Sequence, residues 1–305
     1  MHTSLAELFD ELQDNAVSLA DCVACGRKIL HAEQRMLTYN EPDLEAKILA
    51  GHAFGVSPTE LLTEYDRAVK LSQKQRYISC LRQRIEGQPI GYITGEQAFW
   101  TLSLETSRET LIPRADTETL VESALALELP ANANVLDLGT GTGAIALALK
   151  SERPHWKVTG SDFKQTIVEL ARRNAKRNEL EVEFLKSDWF SAINMLCDAN
   201  SAKSAFDLIV SNPPYVESQS AYLQQGDLLH EPSSALVSGV DGLEDIRHII
   251  GKAHNYLNSN GYLLIEHGFE QSADIQALLA SAGYTSIESK KDLNGLDRVT
   301  LGQLV

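Results

Sequence analysis

Three glycines spaced two apart, Gly139, Gly141 and Gly143, follow the short apolar run Val135-Leu136-Asp137-Leu138 and lead straight into Ala144-Ile145-Ala146-Leu147. The spacing predicts a buried strand over 134–138 and a helix over 143–151. Glycines at such a junction let the backbone adopt φ > 0 and come close to a ligand. The helix that follows turns its N-terminus and free N–H groups toward that ligand. A chain built around this junction is constrained to an open sheet whose strands end in a binding crevice.

The flanking pattern agrees. A helix is expected over 116–128, a strand over 156–161, a helix over 164–178, and strands over 181–185 and 206–210. A helix over 242–257, a strand over 261–265, a helix over 270–282 and strands near 284–288 and 297–302 complete the chain. Alternation of this kind predicts an α/β architecture with a mostly parallel sheet covered by helices on both faces. The last two strands, with no helix between them, predict an antiparallel hairpin at the sheet edge.

Residues 1–86 have a different period. Leu5, Leu8, Phe9 and Leu12 recur at helical spacing. Pro42 between Glu41 and Asp43 opens a second helix, with Leu44, Ile48 and Leu49 as its expected buried stripe. Ser57-Pro58-Thr59-Glu60 starts a third. Residues 69–86 form a fourth, with Leu71, Ile78, Leu81 and Ile85 inward and Gly87 as its stop. Residues 87–114, with Gly91, Gly95, Phe99, Trp100, Leu102 and Leu104, are expected as a β-hairpin joining this helical domain to the α/β domain of 115–305.

Composition narrows the function. Hydrophobic residues make up 43% and charged residues 23% of the 305 positions, the balance of a globular protein. A formal net charge of −15 argues against a chain whose main task is gripping phosphates, so no direct nucleic-acid binding is expected. Four cysteines form no disulfide framework. Cys22-Val-Ala-Cys25 has ligand spacing but no second pair follows, so the two are read as small residues of a helix and no metal is expected. With no signal peptide and no apolar run long enough for a membrane span, a cytoplasmic monomer is expected.

The glycine loop departs from the dinucleotide fingerprint, because its third glycine comes one residue early, and no P-loop lysine follows. Asp137, ahead of the glycines, suits a ligand with a cationic amino-acid moiety, which S-adenosyl-L-methionine has. Asp162 ends the next strand, where a carboxylate can accept from ribose hydroxyls. Ser187-Asp188-Trp189 follows the third strand, where Trp189 offers an apolar face to an adenine. The expected cofactor-binding set is Asp137, Gly139, Thr140, Gly141, Thr142, Gly143, Asp162, Asp188, Trp189 and Asn212.

Ser211-Asn212-Pro213-Pro214-Tyr215 follows the buried strand Phe206-Asp207-Leu208-Ile209-Val210, at the carboxyl end that faces the crevice. An amide nitrogen is a poor nucleophile because its lone pair is delocalised. Two acceptors on its N–H bonds, the Asn212 side-chain carbonyl and the Pro213 backbone carbonyl, would orient it. The prolines stiffen the loop and remove N–H groups, and Tyr215 supplies a face for a planar amide. Asn212, Pro213 and Tyr215 are therefore the expected catalytic residues, acting by positioning and electrostatics.

Leu111-Ile112-Pro113-Arg114-Ala115-Asp116-Thr117-Glu118, the glycine loop, Ser187-Asp188-Trp189-Phe190 and Asn212-Pro213-Pro214-Tyr215 together form a recognisable set. Leu223-Gln224-Gln225-Gly226-Asp227, Glu231-Pro232 and Asn294-Gly295-Leu296-Asp297-Arg298-Val299-Thr300-Leu301 extend it. The combination resembles the peptide-chain-release-factor glutamine N5-methyltransferases (HemK-like) over nearly the whole chain. The resemblance implies a Rossmann-like, seven-stranded S-adenosylmethionine-dependent methyltransferase sheet with a small N-terminal helical domain for substrate recognition. It implies a release factor as partner and the glutamine of its Gly-Gly-Gln loop as methyl acceptor, held by Asn212, Pro213, Pro214 and Tyr215, with Phe99 and Arg114 as pocket neighbours. The stretch Ser191–Ala205 is longer than the resemblance leads one to expect and is read as a surface loop. Ribosomal-protein glutamine methylation and DNA adenine-N6 methylation are the rival activities, and a cofactor-binding scaffold is the non-enzymatic alternative.

Overall fold

The structure, a computed structural model, describes residues 4–32, 41–193 and 206–305, so the Ser191–Ala205 loop falls outside the described residues from 194 on. Helices α1 (Leu5–Asp10), α2 (Leu19–Ala32), α3 (Pro42–Phe54), α4 (Pro58–Thr63), α5 (Leu71–Ile85) and α6 (Ile90–Thr94) belong to one compact unit. That unit runs to Gly95 and also takes in Ala221–His230. Ser4 and Ser57 open α1 and α4 with capping boxes to Glu7 and Glu60. Pro42 stands in the first turn of α3, where its missing N–H breaks no helical bond.

Leu12, Leu19, Ile29, Leu30, Leu49, Tyr77 and Leu81 form the core of this unit. Two expected stripes are displaced. On α3, Leu44 and Ile48 are exposed, and Leu49 is buried beside Ala46, Ala50 and Ala53. Alanines at the contact let helices approach closely, so that the Tyr77 hydroxyl donates to the Ala46 carbonyl at 2.9 Å. On α5, Leu71 is exposed in the first turn, whereas Ile78 and Leu81 are buried. Cys22 and Cys25 both face the core of this unit, where burial pushes the Cys22 thiol up to about 11. Such thiols stay protonated and pack as small hydrophobes.

Arg84, with a side chain only 2% exposed, is the polar anchor of the unit. Its Nε and Nη2 donate to the two Glu45 oxygens, each at 2.9 Å, and its Nη1 donates to Asp227 and to the Gln88 carbonyl, each at 3.1 Å. One buried guanidinium thus joins α5, α3 and the Ala221–His230 segment.

Pro89 starts α6 and Gly95 ends it in the left-handed region, so residues 90–94 are helical where an extended strand was expected. Strands β1 (Glu96–Phe99) and β2 (Leu102–Glu105) form the antiparallel hairpin and belong to the second unit, Glu96–Ser220 with Glu231–Val305. The same unit holds α7 (Glu118–Leu125), β3 (Asn134–Leu138), α8 (Ala144–Glu152), β4 (Lys157–Asp162), α9 (Gln165–Arg177), β5 (Glu183–Lys186) and β6 (Phe206–Ser211). It is completed by α10 (Glu244–Ala253), β7 (Leu257–Glu266), α11 (Ser272–Ser281), β8 (Tyr284–Lys291) and β9 (Asp297–Leu304).

Seven strands form one sheet in the order β5-β4-β3-β6-β7-β9-β8. The first five of that order are parallel, β9 runs antiparallel to β7, and β8 closes the edge antiparallel to β9. Period-two alternation sends Val135, Leu208, Val210 and Leu264 to a core shared with α7, α8 and α9, and Leu136, Leu138, Ile209, Leu263 and Ile265 to a core shared with α10 and α11. Burial on both faces explains why these strands read as continuous apolar runs. β7 begins four residues earlier than expected, because Asn258-Ser259-Asn260-Gly261 is not a turn but a bulge. The register slips from Phe206↔Leu257 to Leu208↔Tyr262, with Asn260 at φ 65°.

Candidate active site

From β3 the chain moves outward to β4 and β5, then returns to β6 on the other side of β3. At such a reversal the loops leaving neighbouring strands diverge and open a crevice at the carboxyl ends. A cavity of about 200 Å³ lies there, lined among others by Gly139, Gly141, Asp162, Asp188, Trp189, Asn212 and Pro214.

The glycine loop forms the floor. Gly139 and Gly141 have φ of 71° and 56°, values that residues with a Cβ adopt only under strain. A Cβ on Gly139 would stand 3.5 Å from the Trp189 ring, and one on Gly141 would project into open space. The Gly141 N–H donates to Asp162 Oδ2 at 3.1 Å, tying the loop to the end of β4. Thr142 and Gly143 do not line the cavity. Thr142 is buried with its carbonyl accepting from Asn174 at 2.9 Å, and Gly143 packs against Phe184, Ala171 and Leu147 as α8 begins.

Asp137 lies beneath the loop and is fully buried. Its Oδ2 accepts from the Thr140 hydroxyl at 2.6 Å and from the Ala146 N–H at 3.3 Å. Its Oδ1 is buried without a protein partner. Burial pushes this carboxyl up to about 7, against the opposing pull of the Thr140 hydrogen bond. Burial likewise raises Asp162, with the Gly141 N–H opposing it.

Across the cavity Trp189 takes a left-handed φ of 45°. The Ser187 hydroxyl donates to the Trp189 carbonyl at 2.6 Å and accepts from the Ala192 N–H at 3.0 Å, which pins the strained turn. Asp188 is exposed at the rim.

The Asn-Pro-Pro-Tyr segment leaves β6 as a fixed loop. The Ser211 hydroxyl donates to the Leu138 carbonyl at 2.8 Å, holding the ends of β6 and β3 together. Tyr215 and Val216 both donate their N–H groups to the Leu236 carbonyl, at 3.1 and 2.8 Å, and Gln271 donates to the Tyr215 carbonyl at 3.0 Å. Pro213 is buried, Pro214 lines the cavity and Asn212 is partly exposed to it. Asn212 Nδ2 donates to Thr117 Oγ1 at 3.2 Å. The Tyr215 hydroxyl meets Glu266 Oε1 at 3.4 Å, and burial raises the phenol well above its ordinary value.

Two expected neighbours are placed differently. Phe99 is 2% exposed and belongs to the core with Leu102, Leu104 and Ala144. The β1–β2 hairpin lies against α9, where Asn174 and Asn178 donate to the Glu105 and Ser103 carbonyls at 3.0 Å each, so the Phe99 ring turns inward rather than to the cavity. Arg114 pairs with the buried Glu231 at 2.6 Å, and Glu231 also accepts from the Ile112 N–H at 3.1 Å. Arg114 thus fixes the chain beside the site and is not among the lining residues. His267 is fully buried, with its ring nitrogens 2.8 Å from the Gly268 carbonyl and 2.7 Å from the Thr300 hydroxyl.

Thr117, Glu231, Glu266 and Arg298 were not expected at the site. Arg298 reaches Asp116 at 3.4 Å and Asp292 at 3.1 Å, so the segments around residues 111–118 and 294–301 meet beside the Asn-Pro-Pro-Tyr loop. The only sequence signal for Thr117, Glu231 and Arg298 was their membership of the recognised segments, and Glu266 lies in none of them.

The family model "Methyltransferase small domain" matches residues 116–281, and "PrmC N-terminal domain" matches residues 28–95. The release factor glutamine methyltransferase of Pseudomonas aeruginosa is 46% identical over 261 residues, covering 85% of this chain and 92% of that one. Its counterpart in Haemophilus influenzae is 44% identical over 273 residues, covering 85% and 90%. A methyltransferase from Pyrococcus furiosus superposes with a TM-score of 0.50 at 19% identity, covering 73% of this chain and 96% of that one, a likeness of fold. The chain belongs to the release factor glutamine methyltransferase family.

Proposed function

We propose that this protein transfers the methyl group of S-adenosylmethionine to the side-chain amide nitrogen (N5) of the glutamine in the Gly-Gly-Gln loop of a peptide chain release factor. The observation that carries this is Asn212, an uncharged amide held at the cavity rim in a loop stripped of N–H donors by Pro213 and Pro214. The residues fit the cofactor. The unpartnered Oδ1 of Asp137 meets the need for a counter-charge near an ammonium group, and the space over Gly141 would close if any side chain stood there. Asp162 offers a carboxylate to hydroxyls, and Trp189 and the exposed Asp188 border the place for an adenine. Gly139, Thr140, Thr142 and Gly143 shape the loop. When bound, the cofactor supplies an electrophilic methyl group on a sulfonium.

The acceptor amide is held rather than deprotonated beforehand, and one of its N–H protons is lost to solvent once the methyl group has arrived. The Asn212 side-chain carbonyl and the Pro213 carbonyl accept its two N–H bonds, which orients the nitrogen lone pair and raises its electron density. Pro214 and Tyr215 flank the amide plane. Within this account residues 1–86 are the release-factor recognition domain, 87–114 the joining hairpin and 115–305 the transferase domain.

The test offers labelled S-adenosylmethionine and three acceptors in parallel, an unmethylated release factor, a ribosomal protein and duplex DNA. Label is expected on the release factor, and is expected to vanish when its Gly-Gly-Gln glutamine is replaced by alanine. Label on the ribosomal protein or the DNA instead would overturn the substrate assigned here.

A further inference from the structure

Two consecutive prolines leave the loop after β6 short of anchors. Pro213 and Pro214 have no N–H, so neither ties its own backbone down by donating, and the loop must be held from its ends. At the near end the Ser211 hydroxyl does this through the Leu138 carbonyl. At the far end the Val216 N–H donates to the Leu236 carbonyl at 2.8 Å. That N–H shares a peptide plane with the Tyr215 carbonyl, and one hydrogen bond still lets a plane rotate about it. The second hold on the plane comes from Gln271.

Gln271 stands immediately before α11, and its side-chain amide is committed at both ends. Its Oε1 accepts from the Gly268 N–H at 2.9 Å, and its Nε2 donates to the Tyr215 carbonyl at 3.0 Å. Both partners are backbone groups of fixed sense, an N–H that can only donate and a C=O that can only accept. One orientation of the amide satisfies both. Gly268 is a firm mount, because its carbonyl accepts from the Gln271 N–H at 2.9 Å and lies 2.8 Å from His267 Nδ1. Gly242 leaves the room that the contact needs. It has φ 72°, and a Cβ there would stand 2.3 Å from the Tyr215 carbonyl oxygen and 2.8 Å from Gln271 Nε2.

We propose, resting on the amide-methylating function above, that Gln271 is a positioning residue that clamps the Tyr215–Val216 peptide plane and so holds the Pro213 carbonyl and the Tyr215 ring in register with the acceptor amide. Gln271 is not among the residues lining the cavity. Its effect reaches the reaction through the loop, so it falls on kcat and leaves S-adenosylmethionine affinity unchanged.

Two substitutions separate this role from packing. Gln271→Met keeps an unbranched side chain of similar length and removes both hydrogen bonds. Gln271→Glu keeps the acceptor for Gly268 but turns an oxygen toward the Tyr215 carbonyl. In single turnovers with saturating cofactor and release factor, both variants are expected to lose on the order of 10–100-fold in rate, with S-adenosylmethionine affinity within about twofold of wild type. Hydrogen exchange supplies a readout that needs no acceptor. Over the peptide that contains Tyr215 and Val216 it should speed up by about fivefold or more, with the glycine loop unchanged. Gln271→Glu stands in alone if the methionine variant does not fold. A glutamate variant within about threefold of wild type in rate would mean that the Gly268 contact alone matters, and would overturn the clamp. Unchanged exchange at Tyr215 and Val216, or an equal rise over the glycine loop, would overturn it too. Absence of transfer by wild type would count against the function proposed above, while the exchange rates would still decide the clamp.

Discussion

Asp162 and Asn212 border the same cavity, yet their surroundings give them separable tasks. Asp162 ends β4 and is tied to the glycine loop through the Gly141 N–H, whereas Asn212 follows β6 and is tied to Thr117. Asp162→Ala should weaken S-adenosylmethionine binding while sparing the chemical step at saturation. Asn212→Ala should cost on the order of 10²–10³ in kcat with cofactor affinity nearly kept, the scale of losing one preorganised polar partner. Calorimetric titration and single-turnover rates on both variants check the split, and reversed effects would refute the assignments. Asp137 carries a pH dependence. It holds its proton to about 7 in the folded protein, whereas in an unfolded chain it ionises near about 4. Between those limits the folded state binds more protons than the unfolded one, so this contribution to stability is full below about pH 4 and is lost as pH rises through about 7. Asp137→Asn mimics the protonated form, so in the ligand-free protein it should gain stability relative to wild type between about pH 5 and pH 8 in urea titrations. A difference that stays flat across that range would contradict the burial argument.

At the scale of elements, local signals were legible and distant ones were not. The glycine loop, Asp162 and the Asn-Pro-Pro-Tyr segment could be placed because each lies within a few residues of a strand end, and parallel strands bring those ends to one edge. Thr117 could not be linked to Asn212, since no local pattern connects the turn before α7 to the loop after β6. The α3 stripe was misread because alanines carry little hydrophobic weight but allow close helix contact, and the start of β7 was hidden by the turn-like residues of its bulge. Phe99 resembled a pocket aromatic, but it stands at the inward end of a hairpin clamped to α9. The Glu45–Arg84 pair was equally silent in sequence and has a measurable consequence. Arg84→Leu leaves Glu45 buried without its partner and should destabilise the helical unit by about 3–5 kcal/mol. Adding Glu45→Leu should recover much of that loss, because an apolar pair in the same space needs no desolvation compensation. Urea unfolding of the single and double variants checks this, and a double variant less stable than the single would refute it.

For the whole molecule, the sequence-derived plan of an α/β methyltransferase sheet with a small N-terminal helical domain holds, and the seven-stranded order with β9 between β7 and β8 supplies the topology. The net charge of −15 suits the protein acceptor proposed above, provided that its docking face is basic. Each surrounding ion pair, Arg114 with Glu231 and Arg298 with Asp116, holds a loop near the cavity, and the machinery proposed above is a positioned amide beside that cavity. Fragmentation mass spectrometry of a release factor incubated with the protein and S-adenosylmethionine locates the methylated atom. One added methyl on the side-chain amide nitrogen of the Gly-Gly-Gln glutamine, absent with the Asn212→Ala variant over the same short incubation, is the predicted result. A methyl on any other residue or atom, or equal methylation by that variant, would contradict it.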